Sequence, residues 1–392
     1  MAACCAAALL VAGCSDASSE PDVAPTAEAT PSQTSGTEAT PAEASSSPGG
    51  DELPSAAPAE LGFDATVLER LAQEAKDAGS TCLLVARDGV VAGEWYWNDG
   101  AADKPQEVFS VTKSVTSTLV GLAQADGDLD LGDRAAAYIP EWQGTPSKNV
   151  TLRNLLSNDS GRFWSPESDY QALIKAPDRT AYAVGLTQAD PPGTVWAYNN
   201  AAIQTLDRVI RSATSTATDV YAQERLFGPL GMTSTRMTPD ASGRSTQAFF
   251  GMQSTCPDLE RFGQLFEQRG EWEGDQLLPA AWVKDATGRS SQDLNAAYGL
   301  LWWVNRTGPQ RSPLDSDNPG LPPGVDGVGQ LVPGAPEDMY AALGFGGQVV
   351  LVDPESGTVV VRLGTLGSGA TKGADAYSIA DAARVVTEAL TD

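Results

Sequence analysis

The first periodic run of apolar residues in the folded part of the chain has the spacing of an α-helix. Val67, Leu68, Leu71 and Ala75 recur at intervals that place them on one face. Asp64 stands just before this run, where its side chain can accept hydrogen bonds from the free N–H groups of the first turn. The pattern therefore predicts an amphipathic helix at the start of the fold.

Strand-like runs occur near both ends of the chain. Thr81–Ala86 and Val90–Trp97 are joined by the short turn Arg87-Asp88-Gly89, a pattern typical of a β-hairpin. Three further runs, separated by Gly- and Pro-containing turns, follow near the C-terminus: Met339–Leu343, Gln348–Asp353 and Thr358–Leu363. We expect strands from the two ends of the chain to pair in one antiparallel sheet.

Helical patterns fill the rest of the chain. One helix is predicted from about Val111 to Asp126, and another from about Ala374 to Leu390, while residues 135–290 are mostly helical with Pro and Gly turns. Residues 307–336 are dense in Pro and Gly and indicate a long loop. The predicted fold class is α+β: an antiparallel sheet flanked by helices, with a mostly helical middle domain.

The first residues of the chain have the character of an export signal. Residues 3–13 are small and apolar, too few to cross a bilayer as a helix but suited to the apolar part of a signal peptide. The run ends in Val11-Ala12-Gly13-Cys14, which resembles the lipobox of bacterial lipoproteins. That resemblance implies removal of residues 1–13 and a lipid on Cys14, which would anchor an exported protein to the cell membrane in the bacterial cell envelope.

A polar segment separates this signal from the folded part. Residues 14–60 are rich in Ser, Thr, Pro, Ala and Glu and have almost no large apolar residues, so they cannot bury enough surface to offset the entropy of ordering. We predict a disordered tether over 14–60 and a folded domain over 61–392.

Composition excludes several classes of function. With 51 acidic and 25 basic residues the formal net charge is −26, which opposes binding to nucleic acid. The chain has no histidine, so Ser-His-Asp and Cys-His triads and histidine-ligated zinc are impossible, and a hydrolase would need Lys or Tyr as its base. The acidic run Asp126–Asp133 lacks the glycine and the glutamate of an EF-hand, and we predict neither a metal site nor a cofactor.

Two cysteines lie within the predicted folded domain. In an oxidising compartment, Cys82 and Cys256 could form a disulfide. Two buried free thiols are the alternative, since the distance between them cannot be read from the sequence.

The clearest chemical pattern is Ser110-Val111-Thr112-Lys113 at the start of a predicted helix. Residues three apart share one helical face, so the hydroxyl and the amine point the same way. A buried lysine can lose its charge and act as a base towards the serine. The helix N-terminus also offers N–H groups to a developing oxyanion.

A second motif lies downstream. The run Pro191–Asn200 contains Tyr198-Asn199-Asn200, and with the S-x-x-K motif it resembles the serine β-lactamase-like family, which includes class C β-lactamases, penicillin-binding DD-peptidases and related esterases and amidases. Other similar stretches follow the family order: Val150–Leu156 with Ser160-Gly161, Pro229–Met232 and Tyr298–Trp303. The resemblance covers residues 62–390. It implies a β-lactamase/transpeptidase-like fold, with Tyr198 acting beside Lys113 and Asn200 either binding substrate or orienting Lys113.

The third motif of that family is altered. The run Ala342–Gln348 has alanine where the family carries a Lys or His that helps to bind a substrate carboxylate. Its form Gly344-Phe345-Gly346-Gly347 looks more like the esterase and 6-aminohexanoate-dimer hydrolase branch. Gly344 would let the strand approach the substrate. By resemblance, the backbone N–H groups of Ser110 and Phe345 would form the oxyanion hole.

The sequence therefore predicts a serine hydrolase that cleaves a small ester or amide through an acylated Ser110. Either Lys113 or Tyr198 could be the general base. Two alternatives stay open: a β-lactamase or DD-peptidase, and a non-catalytic lipoprotein that uses this fold to bind a peptide or cell-wall fragment. Trp164 and Tyr170 could line the cleft or pack elsewhere, whereas Trp302 and Trp303 are expected in the core. The sequence does not indicate an oligomeric state.

Overall fold

The computed structural model describes residues 53–288, 293–311, 327–365 and 377–391. The predicted signal peptide, Cys14 and most of the predicted tether lie outside these residues, as does much of the predicted loop over 307–336. Among the described residues, no helix has both the length and the apolar character needed to cross a membrane.

The folded chain begins before the boundary that we predicted at residue 61. The backbone N–H of Val91 donates to Pro54, and the N–H of Ala56 donates back to Val91. A 3₁₀ turn then covers Pro58–Leu61. Residues 53–60 are therefore part of the domain rather than of the tether. Pairing with a strand edge satisfies their backbone groups, and composition alone cannot show such a contact.

One six-stranded antiparallel sheet forms the centre of the domain. Its strands are β1 (Ser80–Arg87), β2 (Val90–Tyr96), β3 (Trp303–Val304), β4 (Tyr340–Gly344), β5 (Gln348–Asp353) and β6 (Thr358–Gly364). The spatial order is β2-β1-β6-β5-β4-β3, so the first hairpin pairs with the C-terminal meander through β1 and β6. This confirms the predicted antiparallel sheet built from both ends of the chain.

Strands β1, β5 and β6 are buried on both faces because helices cover each side. On one face pack α1 (Ala65–Asp77) and the C-terminal α10 (Ile379–Arg384), which continues as a wider π-helical turn, Val385–Ala389. Asp64 caps α1 as predicted, accepting hydrogen bonds from the N–H groups of Thr66 and Val67. Alternate residues of β1 divide between the two cores: Leu83 and Val85 face α1, whereas Leu84 and Ala86 face the other layer.

The opposite face carries the helical middle of the chain. Its helices are α2 (Val111–Asp126), α3 (Leu152–Leu156), α4 (Leu173–Lys175), α5 (Arg179–Gly185), α6 (Asn200–Thr214), α7 (Thr218–Ala222), α8 (Cys256–Glu267) and α9 (Ala280–Thr287). Residues 111–123 of α2 are buried on every side, so this helix forms the axis of the larger core. The N-terminus of α2 is therefore a rigid position on which to place reactive groups.

The two cysteines of the domain are joined by a disulfide in the structure. Cys82 lies on β1 and Cys256 is the first residue of α8, with 6.5 Å between their Cα atoms. The bond ties the sheet to a helix that is 174 residues away in the chain.

Candidate active site

Ser110 stands at the N-cap of α2, and its hydroxyl is not used for capping. Capping serines normally accept a hydrogen bond from the first helical turn. Phe109, immediately before it, has a φ of 49°, a left-handed conformation that is uncommon for a bulky residue. The backbone thus turns sharply before Ser110 and leaves the Ser110 hydroxyl available to other side chains.

Lys113 lies one turn along α2 and donates to that hydroxyl. The distance between Lys113 Nζ and Ser110 Oγ is 2.7 Å, and Nζ also lies 2.9 Å from the backbone carbonyl oxygen of Phe249. The lysine side chain is 1% exposed. Burial lowers the pKa of Lys113 to about 7, because the charged form is poorly solvated, and the carboxylate of Asp169 opposes this effect.

Tyr198 completes the group around Ser110. Its hydroxyl interacts with that of Ser110, and Lys113 Nζ lies 4.7 Å from the centre of its ring. Burial raises the pKa of Tyr198 well above its ordinary value of 10. The phenol is therefore neutral at pH 7, whereas Lys113 is partly uncharged. Of the two groups that the sequence left open, Lys113 is better suited to accept the Ser110 proton.

Asn200 is the first residue of α6 and lies close to this group. Its backbone N–H donates to Asp169 Oδ2 over 3.0 Å, and its side-chain oxygen is buried without a hydrogen-bond partner among the described residues. We expected Asn200 to bind substrate or to orient Lys113. The contacts of Lys113 Nζ are instead to Ser110 and Phe249.

Gly344 is the last residue of β4, and Phe345 follows it in the turn to β5. A Cβ atom on Gly344 would lie 2.3 Å from the carbonyl oxygen of Val108, so only glycine allows the strand to approach this closely. The ring of Phe345 makes an edge-to-face contact with Phe109, at 5.9 Å between centroids, and is 70% exposed. This contact places Phe345 next to the segment that carries Ser110.

Several residues at the site were not identified from the sequence. Asp169 and the carbonyl of Phe249 contact the motif residues through long-range packing, for which a sequence pattern gives no signal.

Trp303, which we expected in the core, is only partly buried and stacks on Tyr198 with an interplanar angle of 29°. Trp164 donates from its indole to the carbonyl of Tyr198 over 3.0 Å. Trp302 is fully buried, as predicted.

Comparison with known proteins agrees with this geometry. The sequence matches the family described as Beta-lactamase over residues 67–384. The chain belongs to the beta-lactamase family. This confirms the resemblance to the serine β-lactamase-like family, the fold class and the prediction of a serine hydrolase, because the related proteins are named as hydrolases, peptidases and beta-lactamases.

Relatives in the beta-lactamase family differ in the activity that their names give. The chain is 24% identical to the 6-aminohexanoate-dimer hydrolase of Paenarthrobacter ureafaciens over 360 residues, covering 80% of this chain and 83% of that protein. A penicillin-binding protein homolog from Caulobacter crescentus has a TM-score of 0.58 at 16% identity, covering 82% and 95% of the two chains. A class C beta-lactamase in complex with cefoxitin has a TM-score of 0.58 at 17% identity, covering 84% and 99%.

The third motif of the chain, Ala342–Gln348, lacks the Lys or His that the family resemblance led us to expect. Ala342, at the position where the sequence resemblance expects a cation, is fully buried in the core beneath the sheet. An alanine in such a place offers no charge and no hydrogen bond to a substrate carboxylate.

Proposed function

We propose that this serine hydrolase cleaves small, uncharged or cationic esters and amides through an acyl-enzyme on Ser110. The observation that supports this most directly is the contact between Lys113 Nζ and Ser110 Oγ, at 2.7 Å, in a site where burial lowers the pKa of Lys113 to about 7. A neutral lysine at this distance can take the hydroxyl proton as the serine attacks.

The reaction begins when Ser110 Oγ attacks the carbonyl carbon of the substrate and its proton passes to neutral Lys113. The negative charge that forms on the carbonyl oxygen is met by the backbone N–H groups of Ser110 and Phe345, and each such donor contributes about 3 kcal/mol to stabilising the transition state. The N–H of Ser110 lies at the start of α2 and that of Phe345 directly after β4, so both donors are in place before the substrate arrives.

Release of the leaving group needs a proton. The hydroxyl of Tyr198, which is neutral and interacts with that of Ser110, is placed to donate it to the departing oxygen or nitrogen. The ammonium of Lys113 then returns its proton to Tyr198. In the second half of the reaction, water attacks the acyl-enzyme, its proton is taken by the same pair, and Ser110 regains its hydrogen as the acid leaves.

Charge and shape around the site favour a substrate without a carboxylate. Ala342 supplies no cation, and the formal net charge of −26 disfavours anionic ligands in general. Phe345 offers an exposed aromatic surface next to the nucleophile, suited to an apolar group of the substrate. The relative named 6-aminohexanoate-dimer hydrolase supports amide cleavage, but the dimer in its name carries a carboxylate and so does not support the preference for uncharged substrates.

A β-lactamase or DD-peptidase activity is the second candidate, favoured by the family and by the names of several relatives. The two candidate activities can be distinguished by assaying the full chain and its Ser110→Ala variant against the same substrates. These are neutral p-nitrophenyl esters, a neutral p-nitroanilide and benzylpenicillin. We expect Ser110-dependent turnover of the neutral ester, with slow or absent penicillin turnover. Efficient penicillin hydrolysis without ester turnover would favour the second candidate.

We further propose that the protein is exported and anchored to the cell membrane through a lipid on Cys14. The disulfide between Cys82 and Cys256 supports an oxidising compartment. Fractionation of expressing bacterial cells should find the protein with the membranes, and the Cys14→Ser variant outside the membrane fraction. Equal distribution of both proteins would contradict the anchor.

A further inference from the structure

Asp169 is a buried acid next to the reactive group to which the proposed mechanism gives no role. It is 1% exposed and lies in a π-helical turn, Ser168–Ala172. Its two carboxylate oxygens accept hydrogen bonds from the backbone N–H groups of Asn200, over 3.0 Å, and Ala201, over 2.9 Å. These N–H groups belong to the first turn of α6, which would otherwise leave them without partners.

The position of this turn matters because Tyr198 lies two residues before α6. The backbone that carries Tyr198 enters α6 through Asn199, whose side chain caps the helix on Ala202. Asp169 and Asn199 together fix the first three N–H groups of α6. Movement of this turn would displace the Tyr198 hydroxyl from Ser110, and small displacements of reacting groups have large effects on rate.

Asp169 also acts on Lys113 through its charge. Three titratable groups face it: Lys113 from α2, Tyr198 from the segment before α6, and Tyr170 from its own turn. Its carboxylate raises the pKa of Lys113 against the effect of burial, and its own pKa is raised by burial to about 6. At pH 7 the carboxylate is thus mostly ionised and favours the ammonium form of Lys113.

We propose that Asp169 is a positioning residue, which holds the Tyr198–Asn200 segment against Ser110 and stabilises the ammonium form that Lys113 takes after it removes the serine proton. This proposal rests on the proposed function, because it assigns Asp169 a part in the Ser110 reaction. It differs from a purely structural role in predicting a change in the pH dependence of the rate.

The test uses the full chain and the Asp169→Asn variant, which keeps one acceptor oxygen but removes the charge. Asp207→Asn is the matched control: Asp207 is also 1% exposed, lies on α6, and accepts hydrogen bonds from the hydroxyls of Thr180 and Thr218. With a neutral p-nitrophenyl ester, Asp169→Asn should lower kcat about 10-fold or more, with little change in KM, and move the pH midpoint of kcat/KM down by at least about half a pH unit. Asp207→Asn should leave that midpoint in place.

Hydrogen exchange gives a readout that does not depend on activity. A peptide covering residues 198–202 should exchange faster in Asp169→Ala than in the wild type, and no faster in Asp207→Asn. Unchanged exchange there, or an Asp169→Asn midpoint equal to that of the wild type, would overturn the proposal. If the wild type and Ser110→Ala were equally inactive, the proposed function would fail instead, while exchange would still test whether Asp169 holds α6.

Discussion

Lys113 and Ser110 face each other across one turn of α2, with 2.7 Å between Nζ and Oγ, in an environment where Lys113 is 1% exposed. A lysine in water would be charged at pH 7 and could not accept a proton. Burial changes this by lowering its pKa to about 7. The same burial keeps Tyr198 neutral by raising its pKa, so the two groups are matched as base and proton donor.

The first prediction concerns the pH dependence of the rate. A base must be deprotonated to act, so kcat/KM for a neutral ester should rise as pH increases through about 7, where Lys113 loses its proton, and then level off. Ionisation of Tyr198 should not lower kcat/KM below pH 10, because burial raises the pKa of this tyrosine. A profile from pH 5 to 9.5 with an uncharged substrate is the measurement. A rate independent of pH between 6 and 8 would contradict the assignment of Lys113.

The Tyr198 hydroxyl can be tested by its removal. Tyr198→Phe keeps the ring that stacks on Trp303 but removes the hydroxyl that interacts with Ser110 and donates the proton, so kcat should fall by roughly 10²- to 10⁴-fold. Tyr298→Phe is a suitable control, since this buried tyrosine packs against Tyr198 at 6.0 Å between ring centroids. It should leave kcat within a few-fold of the wild type. Similar losses in both variants would point to packing rather than proton transfer.

The glycine at the end of β4 gives a prediction about the oxyanion hole. Gly344→Ala would place a methyl group 2.3 Å from the backbone carbonyl of Val108, so the strand must move away from Ser110. We expect kcat to fall by roughly 10²- to 10³-fold, the effect of losing one oxyanion donor. Gly185→Ala, where a Cβ meets nothing within 4 Å, should leave kcat unchanged. Full activity in Gly344→Ala would remove Phe345 from the proposed oxyanion hole.

The sequence was informative where local patterns determine structure. The helical spacing of Ser110 and Lys113 and the strand runs near each end lie where the structure has them, because hydrophobic periodicity and turn residues act over short distances. Tyr198 was identified by resemblance to a family, not by spacing. Residues 53–60 were misjudged, since their composition resembles a tether while their backbone pairs with β2.

Burial and long-range contacts were the properties that the sequence could not provide. Asp169 lies 56 positions after Lys113 in the chain and reaches it only through the packing of α2 against the start of α6. The choice between Lys113 and Tyr198 as base depends on desolvation, which is a property of the folded state. For the same reason, the stacking of Trp303 on Tyr198 could not be told from ordinary core packing.

Glu260, a buried acid far from the motif residues, should make the stability of the protein depend on pH. Glu260 on α8 is fully buried, its two carboxylate oxygens have no hydrogen-bond partner among the described residues, and burial raises its pKa to about 8. The folded state therefore holds a proton that the unfolded chain releases near pH 4.5, and this contribution to stability is lost as pH rises through about 8.

Replacing Glu260 with Gln should remove this loss of stability at high pH. At pH 8 to 9 we expect the variant to increase the free energy of unfolding by roughly 1–3 kcal/mol, with a smaller effect at pH 5. Urea unfolding at both pH values is the measurement, with the exposed Glu271→Gln as a control that should stay within about 0.5 kcal/mol. If Glu260→Gln were less stable than the wild type at pH 9, the prediction would be wrong, because the Glu260 carboxylate would then be stabilised by its surroundings.

The proposed function depends on an acyl-enzyme that forms on Ser110. It is tested most directly by intact mass and peptide mapping of the full chain, quenched in acid within seconds of mixing with a neutral p-nitrophenyl ester. We expect one added acyl group on the peptide that contains Ser110, formed together with a burst of p-nitrophenol and absent from Ser110→Ala. Ester turnover that persists in Ser110→Ala, or an acyl group that maps to another residue, would contradict it.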